Sequence, residues 1–72
     1  MNQRKAAEKY IRRIRKAEKK KYAINYLKWK LNGEQGEMES PQTLGFMTKQ
    51  AVRMEIDSIL DTVNETRKPK PE

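Results

Sequence analysis

Lys5, Lys9, Arg12, Lys16 and Lys19 recur at intervals of 4, 3, 4 and 3 residues, with Arg13, Arg15 and Lys20 beside them. Those intervals bring side chains onto one side of an α-helix. A fixed row of cations binds anions, and a helix that carries one can track a phosphate backbone or enter a major groove. Arg12, Arg13 and Arg15 are the candidates for specific contacts, because a guanidinium fork can bind bidentately. If six such cations met phosphates of duplex DNA, log K would fall against log[salt] with a slope of about −5. The same row would also suit an acidic protein surface, or be the solvated face of a lysine-rich helix. No aromatic residue falls among Arg12, Arg13 and Arg15, so base stacking by this segment is not indicated.

The charge is divided along the chain. Residues 1–31 hold 12 of the 17 basic residues against only Glu8 and Glu18, a charge of +10. Residues 32–72 carry −3, which leaves the whole chain at +7. Such a split implies a polyanionic or acidic partner.

Tyr22, Tyr26 and Trp29 form a second constellation, spaced i, i+4, i+7. They read first as core. The competing reading is a partner or dimer interface, since Trp and Tyr dominate interface hot spots. Ile24, Leu27 and Leu31 make a separate aliphatic stripe on the same segment. One helix cannot bury both stripes against a single neighbour, so one is expected to be left for a second chain. A homodimer or an obligate protein partner is therefore expected.

Asp57, Asp61 and Glu65 line up at i, i+4, i+8. Paired carboxylates could serve as metal ligands or as an acid–base pair. The chain has no His and no Cys, no glycine-rich phosphate loop and too little length for a deep pocket, so nothing supports catalysis. The reading is non-enzymatic, without metal or cofactor, and the acidic stripe is an ion-paired or solvated face. It could neutralise part of the basic helix.

These side chains must be positioned by helices. Residues 3–31 contain no Gly or Pro and are rich in Lys, Arg, Ala, Glu and Leu. They predict one long helix over about 3–32, opened by Asn2 as N-cap and stopped by Asn32-Gly33. Glu8 and Arg12 stand in the favourable i, i+4 order. Along this helix the apolar positions shift, from Tyr10, Ile11 and Ile14 to the two stripes of the second half. Residues 33–47 predict a polar, acidic loop in which Ser40-Pro41 could open a short turn. A second helix is expected over about 48–66. Thr48 would be its N-cap, and Met47 and Val52 would stand at the two positions of a hydrophobic staple. Its apolar face is Val52, Ile56, Ile59, Leu60 and Val63, with Phe46, Met47 and Met54 as gap-fillers in a small core. Residues 67–72 read as a disordered tail. The expected fold is all-α: a single domain over 1–66, built as an antiparallel two-helix hairpin with a long basic first helix.

With 72 residues, 35% of them hydrophobic, a single core needs help, and no disulfide can supply it. The absence of cysteine suits a reducing cytoplasm. No apolar run approaches a membrane span, and Met1–Tyr10 has no apolar segment behind its charges, which argues against a secretory signal. The runs Arg12–Lys16 and Lys19–Lys21 also fit a nuclear-localisation pattern, which has many false positives. Tyr10, Ile11, Ile14 and the alanines make a shallow anchor for a membrane, so no membrane partner is expected.

The stretch from Glu8 to Lys21, followed by Tyr22 to Leu31, resembles the N-terminal helical part of small phage-encoded transcription regulators: a lysine-rich helix ending in an aromatic cluster. The resemblance covers under half the chain, lacks the DNA-reading half of such regulators and transfers no functional residue. It implies a bacterial, phage or mobile-element accessory protein working in the host cytoplasm. Two functions follow. One is a nucleic-acid-associated regulator that binds phosphates through the basic helix. The other is an adaptor or inhibitor that docks an acidic surface of a host protein through its basic and aromatic faces.

Overall fold

A computed structural model describes residues 2–67, with side chains for residues 2–65. The chain forms three helices, α1 (Gln3–Arg13), α2 (Ala17–Leu31) and α3 (Phe46–Arg67). The fold is a three-helix bundle, which corrects the expected two-helix hairpin. The single helix expected over 3–32 is broken at Ile14–Lys16, where Ile14 (φ −73, ψ 129) and Lys16 (φ −82, ψ 125) are extended. Two forces favour the break. A continuous helix would stack Arg12 on Arg15 and Lys16, and Lys16 on Lys19 and Lys20, and each like-charge pair costs roughly 0.2–0.5 kcal/mol. The break also folds α1 back on α2, so that Ala7, Ile11, Ile14, Ala23 and Leu27 share one core. A straight rod could not bring those residues together.

The helix directions follow from side-chain pairs. Tyr22 meets Arg53, Tyr26 meets Asp57, and Lys30 also reaches Asp57, so α2 and α3 run parallel. The Gln3 amide bonds Asn64, and Tyr10 lies near Glu55, so α1 runs antiparallel to α3. The antiparallel pairing expected across the loop therefore does not occur. The sharp reversal is the short α1–α2 turn instead. Residues 32–45 form a crossover of 14 residues between α2 and α3. They must return along α2, about 22 Å for its 15 residues. An extended chain gains about 3.3 Å per residue, so the crossover has length to spare. It is pinned on the way. Trp29 Nε1 donates to the Gly36 carbonyl at 2.9 Å, Lys49 Nζ donates to Ser40 Oγ at 3.5 Å, and Met38 and Leu44 pack against the core.

The local end signals act as expected at the start of α1 and at the end of α2. The Asn2 side chain accepts from the Arg4 N–H at 2.9 Å. Gly33 (φ 76) closes α2: its N–H bonds the Lys30 carbonyl, and the Glu34 N–H bonds that of Trp29 at 3.0 Å. Those two bonds satisfy carbonyls that the helix end would otherwise orphan. The Pro41–Leu44 turn also forms. At α3 the expectation fails by two residues. The helix begins at Phe46, the Lys49 N–H bonds the Gly45 carbonyl, and Thr48 lies inside the helix. Phe46 and Met47 are each 75% exposed and Met54 is 65% exposed, so the staple is not made and these side chains fill no core gap. The expected apolar face of α3 is correct: Val52, Ile56 and Leu60 are buried, and Ile59 and Val63 are half-buried. Arg67 remains helical, and the tail expected beyond it lies outside the described residues.

Candidate nucleic-acid interface

The break divides the basic row between three pieces of chain. Lys5, Lys9, Arg12 and Arg13 stand on α1, Arg15 and Lys16 on the turn, and Lys19 and Lys20 on α2. All are exposed except Lys19 and Lys20, which are half-buried. Lys5, Lys9 and Arg12 keep a row about 10 Å long on α1, opposite the buried Ala7 and Ile11. Arg13, Arg15, Lys16 and Lys19 gather elsewhere. They line a cleft of about 730 Å³ with Tyr10, Ile14, Leu44, Gly45 and Thr48, at the end of the bundle where α1 stops and α3 starts. Glu18 and Glu55 share this lining. The first turn of α3 holds no acidic residue. The expected single cationic ruler is therefore a short row joined to a cationic end.

Few of these charges are neutralised within the chain. Glu8 pairs with Arg4 at 3.0 Å rather than with Arg12. Lys30 pairs with Glu34 at 2.5 Å and reaches Asp57 at 3.7 Å. The hydrogen bond that Lys30 donates to Glu34 raises the Lys30 pKa, with desolvation opposing it and Asp57 adding to it. Asp57 also accepts the Tyr26 hydroxyl at 2.6 Å, and Asp61 and Glu65 are exposed on α3. Among the described residues, none of Lys5, Lys9, Arg12, Arg13, Arg15, Lys16, Lys19 and Lys20 enters an ion pair. The acidic stripe does not cover the basic surface.

The aromatic stripe works inward. Tyr22 is fully buried and Tyr26 is 3% exposed, so neither is a surface anchor. The Arg53 guanidinium lies 5.9 Å from the Tyr22 ring centroid and 5.5 Å from that of Tyr26, and its Nε donates to the Tyr22 oxygen. Burial, then the Asp57 hydrogen bond, drives the Tyr26 pKa far above the phenol range. Trp29 is half-buried, with its ring 5.9 Å from that of Tyr26 and tilted by 35°. These groups fasten α2 to α3 and to the crossover. The aliphatic stripe is divided: Leu27 is buried in the core, whereas Ile24 is 39% and Leu31 43% exposed. Charge patterning had also missed Phe46. Its helix starts beside the basic cleft, which brings an exposed aromatic to the cationic end from far along the chain.

Among the described residues no group of three metal-binding side chains converges, and no helix is long and apolar enough to cross a membrane. The chain matches no protein-family model, no curated protein and no solved structure.

Proposed function

We propose that this chain is a small, non-enzymatic nucleic-acid-associated accessory protein that grips phosphates with its basic surface. The observation that carries this reading is the set of exposed cations left without an internal counterion. A charge cluster that repels itself is a cost to the fold, and phosphates relieve it while releasing condensed counterions. The cleft holding Arg13, Arg15, Lys16 and Lys19 would take one stretch of backbone, and Lys5, Lys9 and Arg12 would follow it along α1. The likeness of residues 8–31 to phage transcription regulators supports a bacterial or phage setting in the cytoplasm.

Duplex DNA titrated at rising salt tests it. Wild-type binding should weaken steeply. The variant R13Q/R15Q/K16Q/K19Q should flatten the slope of log K against log[salt] by about 3–4, at roughly 0.9 per lost phosphate contact. Circular dichroism would confirm that the variant keeps its helices, since none of the four side chains lies in the core. A wild-type slope near zero, or an unchanged slope in a folded variant, would overturn the assignment.

A further inference from the structure

The side of α1 and α2 away from α3 carries a groove of about 550 Å³, of which the phosphate-binding reading uses only Arg12. Its floor is Ile11, Ile24, Leu27 and Leu31, and its rim is Arg4, Arg12 and Lys28 with Glu8. Ile11 and Leu27 are buried, whereas Ile24 and Leu31 are exposed, so the floor is covered only in part. No residue of α3 lines it. We propose that this groove docks one amphipathic acidic helix of a partner protein.

Dimension, apolar chemistry and charge each restrict the occupant. From Ile24 to Leu31 the floor runs about 10 Å at 1.5 Å per residue. Anchors at i, i+4 and i+7 of an incoming helix span the same length, which is the usual pattern of helix-in-groove recognition. The volume lies within the range of about 300–1,000 Å³ typical of binding clefts. Phosphate has no use for an apolar floor. A second copy pressing the same groove against this one would set Arg4, Arg12 and Lys28 against their equivalents. Carboxylates flanking an apolar stripe meet the rim instead: Arg12 and Lys28 have no ion pair among the described residues, and Arg4 is held by Glu8 alone. The complementary partner is therefore acidic beside its apolar anchors.

The probe is a synthetic helical peptide with Leu at i, i+4 and i+7 and Glu at the flanking positions, titrated by NMR against the full chain. Binding should shift the signals of Ile24, Leu27, Leu31 and Lys28. I24S/L31S should weaken it tenfold or more, the scale of an interface hot spot. Both side chains are already partly exposed, so the variant keeps the bundle and should bind duplex DNA as wild type does. K28E should weaken the peptide as well, and a peptide with Lys in place of Glu should not bind. Equal binding by I24S/L31S, or by a peptide with Ser in place of Leu, would reduce the contact to bare charge attraction and overturn the proposal. So would two other outcomes in the absence of peptide binding: anionic phosphatidylserine vesicles captured through Ile24 and Leu31, or a dimer in sedimentation that I24S/L31S dissolves. DNA titration of the same variants separates this outcome from failure of the phosphate-binding reading.

Discussion

Replacing Tyr26 by Phe removes a single hydroxyl and leaves the ring that packs in the core. That hydroxyl donates to Asp57 at 2.6 Å, across the interface between two helices that run in the same direction. A hydrogen bond to a charged group contributes about 1.5–3 kcal/mol. The Asp57 side chain is 40% exposed, so water replaces part of the lost bond and the expected loss is about 1–1.5 kcal/mol. In a domain of this size that lowers Tm by roughly 4–12 °C. Asp57→Ala also removes the Lys30 contact at 3.7 Å, so a double-mutant cycle is needed to isolate the pair. Urea unfolding followed by circular dichroism should give a coupling of about 1 kcal/mol. The same variant has a pH signature. Tyr26 is held protonated in the folded chain above its ordinary 10.0. Its contribution is complete below pH 10.0 and is lost as pH rises beyond it, because the unfolded chain ionises first. Tyr26→Phe should therefore remove much of the alkaline destabilisation. Part will persist, since burial and then Glu55 also raise the pKa of Tyr10. Additive single variants, or a Tyr26→Phe protein as stable as wild type with the full alkaline loss, would refute the parallel register of α2 and α3.

Two smaller changes test the α2 end of the crossover. Gly33→Ala places a Cβ at φ 76, where space is open but the backbone is unfavourable, and should cost about 1 kcal/mol in thermal unfolding. Trp29→Phe keeps an aromatic ring against Tyr26 but loses the donor to Gly36, and should cost about 0.5–1.5 kcal/mol while speeding amide exchange around Gly36.

What could be read from the chain alone was mostly local. Asn2 and Asn32-Gly33 mark helix ends because their capping bonds involve residues within a few positions. The face Val52, Ile56, Leu60 follows from periodicity inside one helix. The break at Ile14–Lys16 has no such marker, because no Gly or Pro stands there; it arises from like-charge crowding together with distant burial of Ile14. Nor could the relative direction of α2 and α3 be read, since a crossover of 14 residues reaches either end. That direction decides the electrostatics. It sends Asp57 to Tyr26 and Lys30 and leaves the cations open. The aromatic and aliphatic stripes were both visible, but instead of leaving one stripe whole outside, the bundle buries Leu27 and exposes only Ile24 and Leu31 of the aliphatic one. Periodicity within α2 did not say that Tyr22 and Tyr26 would turn inward under Arg53 while Ile24 and Leu31 stayed exposed.

The bond between the Gln3 amide and Asn64 brings the first turn of α1 beside the last turns of α3. Both ends of the helical body thus leave from one pole, and the Arg13–Lys19 cluster occupies the other. A purification tag or a surface tether at either end would point away from the cationic pole, so immobilised assays would present that pole to solution. The same adjacency suits circular permutation: a short linker could join the ends, and new ones could open near Gln35, which is exposed in the crossover. Such a permutant would begin with α3 and finish with α1 and α2, turning the long crossover into a pair of free ends.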